Sequence, residues 1–253
     1  MLLAIDIGNS DIVLGLHDGQ RWLPLHRIPT HFSPRKEDYE AEFRYLFTEV
    51  GRNLIVDRII LSSVVPGETA IVRMAARAVL GNLPLLVGPD VYPKLGLKIT
   101  SPREIGTDLV ANAVYAHYTY RPEACVVVDF GTALTFTVVS GTGKIEGVSI
   151  APGLKTAVRS LSTNTAQLPE VPLVMPNSAI GKNTVHAIQA GILWGYVGLV
   201  KEVLSQIQAE VGPCKVLATG GLSSVLTPLH GLFEEVDPLL TLNGLRLISE
   251  LVA

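Results

Sequence analysis

Two short stretches set an aspartate, one apolar residue and a glycine directly after an apolar run: Ile5-Asp6-Ile7-Gly8-Asn9-Ser10 and Val128-Asp129-Phe130-Gly131-Thr132. A glycine there lets backbone N–H groups face outward with no side chain in the way, which is what an anion-binding turn requires. Asn9 and Ser10 add short donors. A carboxylate fixed at a strand end also suits hydrated Mg²⁺ on a phosphate chain, because that ion keeps several of its waters. Asp-Phe-Gly holds magnesium in protein kinases too, but those need a Gly-rich loop, a strand lysine and an HRD loop. None of these occurs here, and there is no GxxxxGK[ST] phosphate loop. For either turn taken singly, the ordinary alternative is a hairpin turn with a capping aspartate.

The elements around the turns are written twice. "LLAIDIGNSDIVLGLHDGQ" and "CVVVDFGTALTFTVVSGTGK" each run from apolar stretch through Asp-x-Gly to an alternating β-rich run and a Gly turn. Asp6 matches Asp129 and Gly8 matches Gly131, half a chain apart, which points to a duplicated α/β domain. The expected domains are 1–118 and 119–253, with the boundary in 119–124. Two such turns facing each other across a cleft would grip a triphosphate from both sides.

Within the first half, "DRIILSSVVP" (57–66) reads as a buried strand and "TAIVRMAARAVLG" (69–81) as an amphipathic helix closed by Gly81. Residues 81–96 read as strand and loop. Ser101, Pro102 and Glu104 make a capping box, so a helix is expected from there to 118. In the second half, Val185, Ile188, Ile192, Leu199, Val203 and Ile207 predict one long helix. Thr184, next to Asn183, is placed to cap it. Gly191 and Gly195 lie one turn apart on it, which either packing inside the domain or a subunit interface explains. "KVLATGGLSSVL" (215–226) reads as a strand, a double-glycine turn and a helix, Gly220-Gly221 giving a nucleoside a flat approach.

Composition narrows the class. Apolar residues make up 48% of the 253 and charged residues 17%, which excludes a disordered or fibrous chain. A net charge of −3 provides no basic field to recruit nucleic acid. Cys125 and Cys214 fit neither CxxC nor a zinc spacing and read as core thiols of a reducing compartment. Residues 183–200 lack Lys, Arg, Asp and Glu, yet Asn183, His186, Gln189 and three glycines make them too polar to span a membrane. No basic region precedes Leu2–Ile7. The expectation is a cytoplasmic protein that binds neither membrane nor nucleic acid.

Eight motifs occur in order along essentially the whole chain: "DIGNS" (6–10), "SSVVP" (62–66), "EIGTD" (104–108), "ANAV" (111–114), "DFGTALTF" (129–136), "IAPGL" (150–154), "GKNTVHAIQAGI" (181–192) and "ATGG" (218–221). Together they resemble the acetate and sugar kinase/heat-shock-70/actin superfamily and, more narrowly, the type III pantothenate kinases. The resemblance implies duplicated ribonuclease H-like (actin-like ATPase) domains with a central cleft. It implies ATP-dependent phosphorylation of pantothenate to 4′-phosphopantothenate, towards coenzyme A. It also implies Mg²⁺ with ATP, a monovalent cation (K⁺ or NH₄⁺), and a homodimer with the pantothenate pocket at the subunit interface.

Carried onto this chain, the resemblance makes Asp6, Ile7, Gly8, Asn9, Ser10, Asp11, Ile12 and Val13 the first phosphate loop and adds Thr132 as an ATP contact. Asp129 becomes the monovalent-cation ligand. Tyr92, Gly106, Thr107, Asp108, Leu109 and Thr184 border pantothenate, and Asp108 is the catalytic base. Independently, a carboxylate beside a helix-opening Gly-Thr is well placed to take a proton from an attacking hydroxyl; the plainer reading is an aspartate that steadies the helix dipole.

The family pattern is Gly-x-Asp-Arg, and this chain has Leu109 at the last position, which removes a fixed guanidinium. Asp11 stands where an uncharged polar residue is usual. These departures keep two alternatives open: a regulatory protein with weakened catalysis on the same scaffold, and a kinase for a related small hydroxyl substrate.

Overall fold

The computed structural model describes residues 1–31, 35–50 and 55–253, with residues 49 and 50 by their backbone alone. The chain divides into two compact units, Met1–Tyr115 with Thr241–Ala253, and Ala116–Leu240.

The first unit is built on a five-stranded sheet of β1 (Leu2–Ile7), β2 (Asp11–His17), β3 (His26–Pro29), β4 (Arg58–Ser63) and β5 (Leu85–Leu86). Its order is β3-β2-β1-β4-β5. β1 pairs antiparallel with β2 and parallel with β4. The central strand β1 is almost continuously buried, as its unbroken apolar run requires of a strand covered on both faces. Tyr39, Phe43 and Leu46 of α1 (Lys36–Val50) and Val72, Ala75 and Ala76 of α2 (Pro66–Leu80) form one core with Ile5, Ile7 and Leu14. α2 starts on Pro66 at its first position and ends on Gly81 in the left-handed region, φ 81°.

The expected domain border after 118 falls inside α3 (Thr107–Tyr120). The units part between Tyr115 and Ala116, and the last helix, α6 (Leu240–Val252), belongs from Thr241 onward to the first unit. Gly244 lies so close over the Ala111 backbone that no Cβ would fit. Thr241 Oγ1 donates to Asn112 Oδ1 (2.8 Å), and Trp22 Nε1 donates to Asn243 Oδ1 (2.7 Å).

The second unit repeats the plan with β6 (Cys125–Phe130), β7 (Ala133–Val139), β8 (Ile145–Pro152), β9 (Lys215–Thr219) and β10 (Glu235–Val236) in the order β8-β7-β6-β9-β10. β6 pairs antiparallel with β7 and parallel with β9, the same relations that β1 has with β2 and β4. The duplication read from Asp6 and Asp129 is therefore structural, and both residues are the last but one of their strand. The fold is a pair of ribonuclease H-like units of the actin-like ATPase class. α4 (Leu154–Asn164) and α5 (Thr184–Val211) complete the unit. By length and composition alone α5 could cross a membrane, with 39% of its most apolar stretch buried. Leu193, Tyr196, Val197, Val200 and Leu204 on one side of it enter the core with Phe136 and Leu226.

Local expectations fail in four places. The capping box at Ser101 starts no helix: Glu104 and Ile105 donate to the Ser101 carbonyl in a single turn, and α3 begins only at Thr107. A tertiary anchor on Thr107, described below, outweighs the local signal. Residues 221–225 form turns rather than a helix, followed by a 3₁₀ segment Thr227–Leu232, because Ser223 returns both its N–H and its hydroxyl to the Gly220 carbonyl. Asn183, not Thr184, caps α5, its side chain accepting from His186 N (2.9 Å). Finally, a Cβ at Gly191 or Gly195 would meet nothing within 4 Å, so packing within the chain does not explain those glycines.

Candidate active site

Asp6 sits between Ser62 of β4 and Val13 of β2 in register. Side chains directly across a sheet share a face, so the Asp6 carboxylate and the Ser62 hydroxyl point the same way. Ser62 is fully buried, and its Oγ lies 2.9 Å from Thr107 Oγ1. Thr107 Oγ1 also accepts from Ser63 N (3.0 Å) and donates to the Ser63 carbonyl (3.1 Å). A hydroxyl has one proton and two lone pairs, so Thr107 is saturated and Ser62 is the donor between the two. This anchor fastens the start of α3 to the end of β4 and brings Asp108 to the end of the sheet where Asp6 stands.

Asp108 is half-buried, and its Oδ1 accepts from Leu109 N (2.8 Å). Burial pushes its carboxyl pKa up, against the downward pull of the N–H groups of Leu109 and Asp108. A carboxylate shifted in that direction is a better proton acceptor. A Cβ at Gly106 would overlap the Asp108 carboxylate in the orientation it holds here. Tyr92 is buried nearby, its phenol pushed up to about 12 by burial and then by the charge of Asp108. Leu109 turns its side chain into the core and spends its N–H on Asp108, so neither is open to a ligand.

Among residues 6–13, Ile7 and Ile12 are core side chains, whereas Asn9, Ser10 and Asp11 are exposed. The turn is held from behind. Gly8 N donates to the Asp11 carbonyl (3.0 Å), Thr30 N to the Ser10 carbonyl (2.9 Å) and Thr30 Oγ1 to the Gly8 carbonyl (2.6 Å). Spacing gave no hint of Thr30, Ser62 or Ser63 as supports. "SSVVP" marked the right segment without assigning it a task.

In the second unit Asp129, last but one in β6, lies between Thr219 of β9 and Thr135 of β7. A Cβ at Gly131 would stand 3.3 Å from Asp129 Oδ1 and one at Gly220, φ 89°, 2.6 Å from it, so two bare glycines seat this carboxylate. The Thr132 carbonyl accepts from Gly153 N (3.1 Å) and Thr156 Oγ1 (2.9 Å), and a Cβ at Gly153 would collide with it. Gly153, the centre of "IAPGL", is thus a second support that sequence spacing did not assign. Thr184 is exposed in the first turn of α5.

Among the described residues no three His, Cys, Asp or Glu side chains gather as a metal cage. A magnesium ion carried in by phosphates takes only one or two carboxylates from the protein. Asp6 beside the Gly8–Ser10 turn fits such a role. For a monovalent cation the Asp129 surroundings fit: Thr135, directly across on the same face, is buried with its Oγ1 unpartnered. An unpaired buried oxygen costs stability unless something fills the gap.

The family model for type III pantothenate kinase matches residues 2–206. The type III pantothenate kinase of Geobacter sulfurreducens is 40% identical over 99% of this chain and 98% of its own. That of Treponema pallidum is 45% identical over 99% of this chain and 94% of its own. Among solved structures, a Baf family protein from Campylobacter jejuni superposes with a TM-score of 0.60 at 20% identity, covering 98% of this chain and 97% of that one. The ethanolamine utilization protein EutJ from Carboxydothermus hydrogenoformans gives 0.54 at 18%, covering 99% and 89%. These two share the fold, and the full-length match at 40–45% identity settles the rest: this chain belongs to the type III pantothenate kinase family.

Proposed function

We propose that this chain transfers the γ-phosphoryl group of ATP to the primary hydroxyl of pantothenate, giving 4′-phosphopantothenate and ADP on the route to coenzyme A. The observation that carries the reading is Asp108, a half-buried carboxylate pushed towards higher pKa and anchored beside Asp6 through Thr107 and Ser62. In this reading Asp108 accepts the hydroxyl proton as the oxygen attacks the γ-phosphorus. The new O–P bond forms while the bond to the bridging oxygen breaks, and ADP leaves. Such transfer depends on positioning and charge stabilisation, with the base contributing roughly 10²–10⁴-fold.

The exposed Gly8–Ser10 turn and Thr132 hold the nucleotide phosphates, with Asp6 towards magnesium. Magnesium supplies charge neutralisation across the phosphates when bound. Asp129 holds K⁺ or NH₄⁺. Tyr92, Gly106, Thr107 and Thr184 border pantothenate. With its side chain inward, Leu109 contributes backbone shape alone. A cytoplasmic homodimer completes the proposal, supported by the exposed strip of Gly191, Trp194, Gly195 and Gly198 on α5.

A coupled ADP-release assay with pantothenate, Mg·ATP and K⁺ tests the reading, run beside Asp108→Asn. Pantothenate-dependent turnover lost in the variant supports it. Nucleotide binding without turnover in either protein favours a regulatory role, for which the absent arginine at 109 is the one structural argument. Turnover with another small alcohol but not pantothenate favours the related-kinase alternative.

A further inference from the structure

Thr30 closes the back of the Gly8–Ser10 turn, and the next residue, His31, is not used by any role assigned so far. It is the only non-glycine with positive φ (60°) among the described residues. The left-handed region is uncommon for such side chains, though histidine tolerates it better than most, and strained positions of this kind persist where the surroundings hold them. Here the hold is visible. His31 Nδ1 lies 2.8 Å from Glu68 Oε1, and Glu68 Oε2 accepts from the buried Tyr39 hydroxyl at 2.6 Å. The Glu68 side chain is 9% exposed and that of His31 69%.

This is a buried carboxylate with one oxygen committed to a phenol and the other to an imidazole that faces solvent. A carboxylate only accepts, so Nδ1 carries the proton and the ring presents Nε2 outward. Glu68 lies in the first turn of α2, which follows β4, and Val64 N at that junction donates to the Ile7 carbonyl. The Tyr39–Glu68–His31 chain therefore ends at the same edge of the sheet as the turn, within one residue of its Thr30 brace.

We propose that His31 is a nucleotide-contacting residue: its Nε2, protonated as nucleotide binds, donates to a phosphate oxygen held at the Gly8–Ser10 turn, with Glu68 and Tyr39 positioning the ring. The proposal rests on the reading that this turn holds nucleotide phosphates. The titratable groups facing His31 are Glu68 on α2 directly and Tyr39 on α1 through Glu68. With Nδ1–H committed to Glu68, Nε2 can donate to a phosphate oxygen only once it carries a second ring proton, so the proposed contact forms together with proton uptake.

The test is calorimetric titration of the full chain with Mg·ATP in two buffers of different ionisation enthalpy, for the parent, His31→Ala and Glu68→Gln. The parent is expected to take up a proton on binding. His31→Ala is expected to bind roughly tenfold or more weakly, the order expected of a hydrogen bond to a charged group, and to lose the proton uptake. Glu68→Gln is expected to move in the same direction by less, with melting temperature recording any effect on folding. His31→Ala binding within twofold of the parent, or weakened with proton uptake intact, overturns the inference while leaving the kinase reading standing. A parent that turns over no pantothenate and binds no nucleotide overturns both.

Discussion

Ser62 Oγ and Thr107 Oγ1 lie 2.9 Å apart, and that contact joins a strand end to a helix start 45 positions further along the chain. Ser62 is fully buried and directly across from Asp6, while Thr107 immediately precedes Asp108. One hydroxyl pair therefore ties two carboxylates of different elements to a common edge. The local signals placed the start of α3 five residues too early for this reason. A side chain that makes three hydrogen bonds to β4 overrides a capping box that offers one or two.

Thr107→Val keeps the shape of the side chain and removes all three bonds. It leaves the Ser62 hydroxyl and Ser63 N–H without a partner, at about 1–3 kcal/mol for each buried group stranded. A loss of this size in urea unfolding is expected, together with a fall in kcat larger than any change in the KM for ATP. Unchanged stability would show that the anchor does not hold α3 in place.

Asp108→Asn separates chemistry from folding. Burial raises the Asp108 pKa, so the folded protein holds that proton more tightly than the unfolded chain does. Stability therefore falls as pH climbs from the unfolded aspartate value, about 3.9, towards the higher folded one, and the penalty is complete above both. The amide does not titrate. The variant should match the parent in melting temperature near about pH 3 and exceed it near neutrality, while losing roughly 10²–10⁴ in turnover. A parent more stable than the variant at neutral pH contradicts the assigned direction.

Gly106→Ala probes the same carboxylate by position. The added methyl meets the Asp108 side chain, which can rotate away, so melting temperature should change little. The displaced base should cost kcat, with the KM for ATP held. If turnover is retained, Asp108 does not need the orientation observed.

Much of the framework of the candidate site was legible in the sequence because its signals are local. Asp-x-Gly after an apolar run fixes a strand end and a turn wherever the chain packs, and the repeat at Asp129 needed no tertiary information. The Gly81 helix end and the long α5 were legible for the same reason. What escaped is what only folding brings together: Thr30 behind Gly8, Ser62 beneath Thr107, Gly153 against the Thr132 carbonyl, and α6 returning to α3 through Gly244. Each is a contact between residues far apart in the chain, made by types too common to stand out. The helix expected after Gly221 failed similarly, because Ser223 bonds back to the Gly220 carbonyl and closes a turn instead.

The paired glycines at the end of β9 give the sharpest contrast. A Cβ on Gly220 would stand 2.6 Å from Asp129 Oδ1 and 2.6–2.7 Å from the Phe130 backbone, at φ 89°. Backbone cannot step aside, and the left-handed region itself costs an alanine about 1–2 kcal/mol, so Gly220→Ala should destabilise the fold by at least about 2 kcal/mol. The methyl also pushes on the carboxylate proposed to hold the monovalent cation, so activation by K⁺ should weaken in whatever fraction remains folded. Gly221 has nothing within 4 Å of a Cβ and no positive φ. Gly221→Ala should therefore unfold like the parent, within about 0.5 kcal/mol for an unobstructed surface site. If the nucleoside lies flat on this turn, the same variant raises the KM for ATP while its response to K⁺ is unaltered. Chemical denaturation and a K⁺ titration of both variants distinguish the two positions, and equal behaviour at 220 and 221 would remove the argument that Gly220 exists to seat Asp129.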